Sequence, residues 1–346
     1  MKNELNPPLK MDWDDLVFLN YPCKPELIQK LLPKGMLVDL FENKAYLTIA
    51  PLTMSNFSLY SCKFLFQKQF YECNLRTYVQ VGKKTGVYFF SLDADSVLEV
   101  FGAKAIFRLN YRYRSMKFSL KKGYYDFSMK NPLNSKEKTH IRLHISKEKK
   151  DPTPLIRFIS DRSSYFVTHK NHLFEGIVEH MDWQFHKANV VKVETDLLDR
   201  FEIDATPVAV YAKKTTVSSR FLKPAQNPVV FFDLDCGLCQ RAVKALLALD
   251  IKKQVLFAPI NGVTYRNIYN HPPTNDRLIL FDDQGTSDGA KALLNLLDYL
   301  PWFTGVFSLF KLVPLSALNR WYDAIAKRRK DCRLEKNEIN DPRILP

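Results

Sequence analysis

Apolar residues between positions 37 and 146 recur mostly every second position, which sets side chains on alternate faces of β-strands. Strands are predicted at 37–41, 45–50, 64–70, 71–79, 87–92, 103–109, 112–120, 124–129 and 140–146. Turn-forming residues punctuate them, as at Glu42-Asn43-Lys44 and Gly82-Lys83-Lys84-Thr85-Gly86, and 131–137 reads as a polar loop. Residues 7–15 read as a leading segment outside the strands. Short helices are predicted at 24–32, stopped by Pro33 and Gly35, and at 155–161, after Pro152-Thr153-Pro154. Many closely spaced strands with few helices argue a closed or nearly closed, mainly antiparallel β-barrel in an α+β domain.

The pattern changes in the last third. Val229, Val230, Phe231 and Phe232 form an apolar run short enough for a buried strand. After a turn, Val243, Leu246, Leu247 and Leu249 fall near helical spacing. A second apolar strand at 254–259 completes a βαβ unit, so this third reads as an α/β domain. Beyond it lie a helical stretch at 265–269, a strand at 277–281 and a tight turn, Asp282-Asp283-Gln284-Gly285. A helix then starts at Ser287, with Ala290, Leu293, Leu294 and Leu297 on one face, and further helices are predicted at 303–312 and 315–330. The polar stretch TTVSSRFLKPAQN, with Pro224, separates the two patterns. The expected organisation is a barrel domain over 1–215, a linker over 216–227, a second domain over 228–335 and a tail over 336–346.

Composition narrows the function classes. At 346 residues the chain is long enough for two domains, and 46% hydrophobic content excludes a disordered polymer. The net charge of +14 is dispersed, for example over Lys83, Lys84, Lys121, Lys122, Lys147, Lys149, Lys150 and the 327–330 cluster. No nucleic-acid motif accompanies it, so it reads as a solvated basic surface with no specific nucleic-acid partner. Attraction to anionic partners would be weak and salt-sensitive. The segment MKNELNPPLKMDWDDL lacks the apolar core of a signal peptide. The longest apolar stretch, 300–318, is interrupted by Pro301, Lys311 and Pro314, so no transmembrane segment is expected. Six cysteines do not make a secreted disulfide framework in a chain this size, and a cytoplasmic location is the expectation.

In such a compartment a Cys-x-x-Cys pair is more often catalytic than structural. Cys236 and Cys239 stand where a strand feeds the first turn of a helix, one turn apart on the same side, able to close a small disulfide ring. Free N–H groups and partial positive charge at the helix start favour the thiolate of Cys236. A strand–CxxC–helix unit is the sequence form of a thioredoxin-like redox site. The expected chemistry has an exposed Cys236 attack a protein or small-molecule disulfide and Cys239 resolve the mixed disulfide, with no cofactor. Asp233 and Asp235 oppose the helix end by raising a nearby thiol's pKa, and Asp233 is the candidate proton acceptor during resolution.

Other readings of the same residues remain open. Two buried cysteines can simply fill space at a helix start. A zinc site needs four ligands, and the spare donors Cys332 and His271 are isolated, so no metal is expected and Cys332 reads as an incidental thiol. Haem attachment needs His directly after the second Cys, where Gln240 stands. Asp233-Leu234-Asp235 also resembles the nucleophile loop of haloacid-dehalogenase-type phosphatases, with Asp282 and Asp283 imitating the later acidic pair. Against it, Gly237 occupies a position where that family carries Thr or Val, and too little chain follows for the whole phosphatase sheet.

In the first domain YECNLRTYV is the informative strand. Its period of two puts Glu72, Asn74, Arg76 and Tyr78 on one face, and Cys73, Leu75, Thr77 and Val79 on the other. The polar row is either a solvated ion-pair face or, if it points inward, a network that needs mutual pairing or a bound ligand. His180, between Met181 and Trp183 on one side and the strand before it, is either a packed histidine or part of the same pocket.

Two resemblances follow from these motifs. FYECNLRTYV, followed by TGVYFFSLDADS, LNYRYRSM and IVEHMDWQFHKA, resembles the YqjF-like uncharacterised proteins across roughly 13–213. These are distant relatives of acetoacetate decarboxylase, and the resemblance implies its β-barrel. It implies that Glu72 lies on the strand carrying the decarboxylase's Glu, whereas Asn110 and Tyr111 stand where that enzyme has its Pro-Lys. Without the amine the Schiff-base route is closed, so the expectation is an unknown small-molecule ligand held by Glu72, Asn74, Arg76 and His180, and not decarboxylation. The last third resembles the DCC family of thiol-disulfide oxidoreductases across roughly 228–333. FFDLDCGLCQRAV carries the family's DxxCxxC signature through Asp233, Cys236 and Cys239, and SDGAKALLNLL and WYDAIAKRRKDC match later segments. Leu234-Asp235 departs from the family's usual Gly-Asp. This resemblance implies a thioredoxin-like fold and protein-disulfide reductase chemistry.

Overall fold

The structure is a computed structural model and describes residues 9–59, 69–97, 100–101, 108–203, 205–269, 271, 277–327 and 339–346. Most of the strands predicted at 64–70 and 103–109 lie outside the described residues, as does Cys332. The chain divides into two compact units, Met1–His169 with Phe174–Leu222, and Lys170–Leu173 with Lys223–Pro346.

The first unit is almost entirely sheet. Its strands begin with β1 (Leu9–Cys23), β2 (Leu37–Val38), β3 (Ala45–Leu59), β4 (Phe70–Val81), β5 (Lys84–Ala94) and β6 (Tyr111–Tyr113). They continue with β7 (Ser115–Lys121), β8 (Tyr124–Asn131), β9 (Asn134–Lys149) and β10 (Ser164–His169). β11 (His172–His180, in this unit from Phe174 onward), β12 (Phe185–Thr195) and β13 (Val208–Ser219) complete the set. Two short helices interrupt them, α1 (Pro25–Gln29) and α2 (Pro154–Ser160). Thr153 caps α2 by accepting the Ile156 N–H at 3.3 Å, which lets the helix bury Ile156 and Ile159.

The expected antiparallel barrel is only partly realised. The order β11–β10–β5–β4–β3–β1–β13 closes on itself where Val178 pairs with Ser219. From β13 the sheet also runs outward as an open wing, β12–β9–β8–β7, and β5 pairs in parallel with both β10 and β6. The unit is therefore a sheet-rich fold and not a clean barrel. Both faces of the central strands are covered. Along β1, Leu16 and Phe18 enter one apolar cluster while Val17 and Leu19 enter another. β4 does the same, with Tyr78 in the first cluster and Cys73 and Leu75 in the second. Strands buried on both faces read as continuous apolar runs, which is why LVFL shows no alternation.

β1 corrects the sequence reading, which left 7–15 outside the strands. Asp15 adopts a positive φ of 51°, and the β1–β3 register shifts between Asp14 and Leu19. The bulge breaks the period-two pattern that would have announced the strand. The segment 131–137 is likewise a hairpin and not a loop, since Asn131 pairs with Asn134 and the amides of both donate to Glu137 at 3.0 and 2.9 Å. Glu137 also pairs at 3.0 Å with the buried Arg114, which holds Asp196 at 2.9 Å and Asp93 at 3.3 Å. β13 runs on to Ser219 and the units divide after Leu222, so 216–219 belong to the sheet and not to a linker.

The second unit opens with β14 (Lys223–Pro224) and then alternates. β15 (Val229–Phe232), α3 (Gly237–Leu249), β16 (Leu256–Pro259) and α4 (Val263–Tyr269) form its first half. β17 (Ile279–Asp282), β18 (Gly285–Asp288), α5 (Gly289–Leu296), a 3-10 helix (Trp302–Leu312) and α6 (Leu315–Lys327) follow. The sheet order is β16–β15–β17–β18, with β15 and β16 parallel and the other neighbours antiparallel. Val230, Phe232, Phe257 and Leu280 pack with Val243 of α3 and Ala292 and Leu296 of α5. Val229, Phe231, Ala258 and Ile279 pack on the other side with Tyr265 of α4.

Two expectations change here. The helix predicted from Ser287 starts at Gly289, because Gly285 turns at φ 109° and sends Thr286–Asp288 back along β17. A four-residue strand, Gly-Thr-Ser-Asp, whose one buried residue is the polar Ser287, gives no readable apolar period. The tail is also part of the fold, since Leu345 N–H donates to Phe257 O at 2.7 Å and Arg343 reaches Asp250 at 3.2 Å.

Candidate functional site

The sulfur pair is fixed by the start of α3. Cys236 is the N-cap, with extended φ and ψ of −98° and 110°, so its side chain folds over the first free N–H groups. Its Sγ accepts the Cys239 N–H at 3.4 Å. Both residues are present as thiols and not as a disulfide. The expected exposed attacker is not seen: Cys236 is 5% exposed and Cys239 8%, both packed with Val230, Phe232 and Val243. The capping geometry is the reason, because it turns Cys236 inward over the helix end.

The turn before α3 is built from its own polar groups. Asp233 Oδ1 accepts the Asp235 N–H at 3.0 Å, Cys236 N–H donates to Asp233 O at 3.4 Å, and Gln240 Nε2 donates to Leu234 O at 2.7 Å. The Asp233 carboxylate thus meets loop backbone. Gln240, the residue whose identity excludes haem attachment, also clamps the turn from the helix.

In the first unit Glu72, Asn74 and Arg76 come together in the interior, at 3%, 5% and 8% exposure, which removes the solvated-face reading. Asn74 Nδ2 donates to Glu72 Oε1 at 3.0 Å, and the Tyr111 hydroxyl donates to Glu72 Oε2. Burial pushes the Glu72 carboxyl up to about 7, against the hydrogen bonds from Tyr111 and Asn74 that favour its charged form. The Arg76 guanidinium lies over the Phe18 ring at 5.0 Å. Among the described residues, Arg76 Nε and Asn74 Oδ1 are buried with no hydrogen-bond partner. His180 is set apart from this trio. Its nitrogens face Met181 O and Ser160 O at 3.0 and 3.1 Å, and its ring lies against Trp183, which touches Phe18. Tyr111, which stands where the resemblance places a lysine, is brought onto Glu72 by β6, a contact that no spacing in the sequence announces.

A third group was unreadable from spacing. Within the second unit His172, Asp282 and Asp283 offer ligand-type atoms within 4.8 Å of one another, the one such group among the described residues. His172 Nδ1 lies 2.8 Å from Asp283 Oδ1 and 2.7 Å from the Tyr299 hydroxyl. Burial would lower the imidazole pKa, but the Asp283 hydrogen bond and the charges of Asp282 and Asp298 outweigh it and raise it. This contact set also disposes of the phosphatase reading. β15 and β17 are antiparallel, with Val229 opposite Phe281, so Asp282 and Asp283 sit at the other end of the sheet from Asp233 and Asp235. The four carboxylates cannot share a phosphate.

Comparison with known proteins adds to this geometry. Residues 10–216 match the DUF2071 family, described as an uncharacterized conserved protein, and residues 230–333 match DCC1-like thiol-disulfide oxidoreductase. The uncharacterized protein YqjF of Bacillus subtilis (strain 168) is 28% identical over 218 residues, covering 60% of this chain and 89% of that protein. The crystal structure of acetoacetate decarboxylase from Legionella pneumophila subsp. pneumophila str. Philadelphia 1 superposes with a TM-score of 0.50 at 11% identity, over 63% of this chain and 88% of that one. At that identity the likeness concerns fold alone: the first unit has an acetoacetate decarboxylase-like, sheet-rich fold, and the C-terminal region is a DCC1-like domain.

Proposed function

The chain belongs to the DUF2071 family of uncharacterised conserved proteins, and from that premise we propose that its appended second unit is a working thiol-disulfide oxidoreductase acting through Cys236 and Cys239. The observation that carries the reading is the Cys239 N–H held on Cys236 Sγ at the start of α3. That donor, with the helix end behind it, stabilises negative charge developing on the sulfur as it leaves a mixed disulfide. The sheet order, one parallel neighbour and then two antiparallel strands with helices on both faces, supports a thioredoxin-like fold for the unit.

In the proposed cycle Cys236 Sγ, as thiolate, attacks one sulfur of a protein or small-molecule disulfide. A Cys236–substrate bond forms and the other substrate sulfur leaves as a thiolate. Cys239 then attacks Cys236 Sγ, the second substrate thiolate leaves, and the pair is oxidised to Cys236–Cys239. Two electrons pass to the substrate, two protons end on its thiols, and a dithiol reductant restores the enzyme. Asp233 acts here as a positioning residue, because its carboxylate holds the Asp235 N–H. Taking the Cys239 proton during resolution falls in this proposal to its other oxygen, Oδ2, while Oδ1 keeps the loop N–H. The half-buried Leu238 and the exposed Leu234 flank the pair and must move aside for a substrate. The cycle suits a reducing compartment, the cytoplasm. Among the described residues no helix is long and apolar enough to cross a membrane.

The first unit is proposed to hold a small polar molecule against Glu72, Asn74 and Arg76. The buried, unpartnered Arg76 Nε and Asn74 Oδ1 support this, since such groups carry a desolvation cost that a ligand would offset. Tyr111 occupies the place beside Glu72 where Schiff-base chemistry would need an amine, so decarboxylation is not proposed. A metabolite-binding screen comparing wild type with Arg76→Ala and Glu72→Ala tests it: equal binding of a wild-type ligand by both variants removes the pocket.

Burial of both thiols favours a second reading, a ligand-binding or sensory protein whose CxxC is not catalytic. Reduction of insulin disulfides driven by dithiothreitol separates the two. Turnover above the dithiothreitol background supports the enzyme, and its absence at any protein concentration supports the sensor.

A further inference from the structure

The last segment of the second unit leaves apolar surface that no part of the function above uses. In α6, Leu315, Leu318, Tyr322 and Ile325 recur at helical spacing, yet only Leu318 is buried. Trp321 and Ile325 are 59% and 58% exposed. The 3-10 helix before it shows Leu309 and Leu312 at 65% and 83% exposure, with Phe307 and Phe310 beside them. Between these elements and helices α3 and α5 opens a cavity of about 290 Å³, walled by residues such as Leu249, Leu293, Leu297, Phe307, Phe310 and Trp321. Of its polar side chains, Thr304 Oγ1 donates to Pro301 O at 2.7 Å and the Tyr322 hydroxyl accepts from Leu278 N–H at 2.9 Å. A lining this apolar favours a hydrocarbon occupant.

Charge on the same elements says what kind of hydrocarbon-bearing surface fits. Arg320 and Lys327 are exposed on α6, and the helices completing the wall add Arg241, Lys244 and Lys291. The carboxylates of this stretch are neutralised: Asp298 is buried against Lys311 at 2.9 Å, and Asp323 holds Arg277 at 2.7 Å. Exposed Trp, Phe and Leu beside unopposed Lys and Arg are the composition of a helix that lies in a membrane interface. We propose that the face formed by Trp302–Leu312 and Leu315–Lys327 docks on an anionic phospholipid surface, with the apolar side chains entering the acyl boundary and the cations meeting headgroup phosphates. Such docking needs no spanning helix. It would hold the second unit at a bilayer.

Sedimentation of the full chain with vesicles tests this. Vesicles of equal parts phosphatidylcholine and phosphatidylglycerol should carry the protein down at low salt, release it as salt rises, and outperform phosphatidylcholine alone. The double substitution Arg320→Gln with Lys327→Gln should weaken binding by at least about tenfold, on the scale of one surface cation per fivefold. Leu309→Ser with Leu312→Ser should weaken it by about tenfold or more. The tryptophan emission should shift blue on the anionic vesicles, and that shift should shrink in Trp321→Phe. Unchanged near-ultraviolet circular dichroism of each variant shows that the fold is intact. The proposal is overturned by absence of sedimentation, by equal binding to neutral vesicles, or by a concentration-dependent dimer that anionic vesicles fail to dissociate, which would make this face a protein interface.

Discussion

The sulfur turn and the carboxylate row are built by opposite means. Cys236 and Cys239 share one helical turn, and Asp233 and Gln240, which shape it, lie within seven residues of each other. Glu72 instead takes one partner from its own strand and another, Tyr111, from 39 residues along the chain. The local site can keep its geometry while its surroundings move, as the proposed dithiol exchange requires of two covered thiols. The non-local site has its charge state set by how well the whole sheet excludes water. The first depends on access, the second on burial.

The sharpest way to break this contrast is at sulfur. Cys236→Ser should abolish dithiothreitol-driven disulfide reduction, a loss of at least about a hundredfold, while leaving the unfolding midpoint nearly unchanged. Cys239→Ser should instead accumulate a mixed disulfide visible by mass spectrometry. Full activity in Cys236→Ser would reverse the assignment of attacker and resolver.

The corresponding blow to the first unit is structural. Arg114 is buried against Asp93 and Asp196, so Arg114→Met removes the cation paired with Asp196 and leaves the buried Asp93 to Arg112 alone, and should cost about 3 kcal/mol in urea unfolding. A cost below about 1 kcal/mol would mean that the wing is not anchored there.

Glu72 gives a pH signature. Its pKa rises from 4.5 to about 7 on folding, so its contribution is fully present below 4.5 and lost as pH climbs through 7. Wild type should therefore lose up to about 3 kcal/mol between pH 5 and pH 8 from this group. Glu72→Gln should flatten that slope and be the more stable protein at pH 8. An unaltered slope in the variant would contradict the burial account.

A smaller effect of the same sign is expected in the second unit. The His172 pKa is raised on folding, so the stabilisation it lends exists below its ordinary value of 6.5 and fades as pH rises through its folded value. His172→Gln should remove this weaker step and leave the Glu72 step in place. Thermal unfolding at matched pH values reads both.

The same contrast explains what the sequence could disclose. Val229–Phe232, the cysteine turn and the helix after it were legible because each is set by residues within a few positions of one another. β1 was hidden by the bulge at Asp15, and β18 by its length of four residues. The polar row of β4 was visible as a row, but two-sided burial of the strand was not, since that depends on what packs across the sheet. Tyr111 on Glu72 and His172 on Asp283 are products of folding over long separations, and no spacing rule reaches them. Even at the local site, the inward turn of Cys236 comes from capping geometry and from the core it meets.

The most direct test of the account is differential alkylation of the full chain held at graded thiol–disulfide poise, read by mass spectrometry. Cys236 and Cys239 should lose reactivity together, in one two-electron step, and appear as a single linked peptide pair. If both stay alkylatable at every poise, or if they oxidise independently of each other, dithiol exchange is not what this unit does.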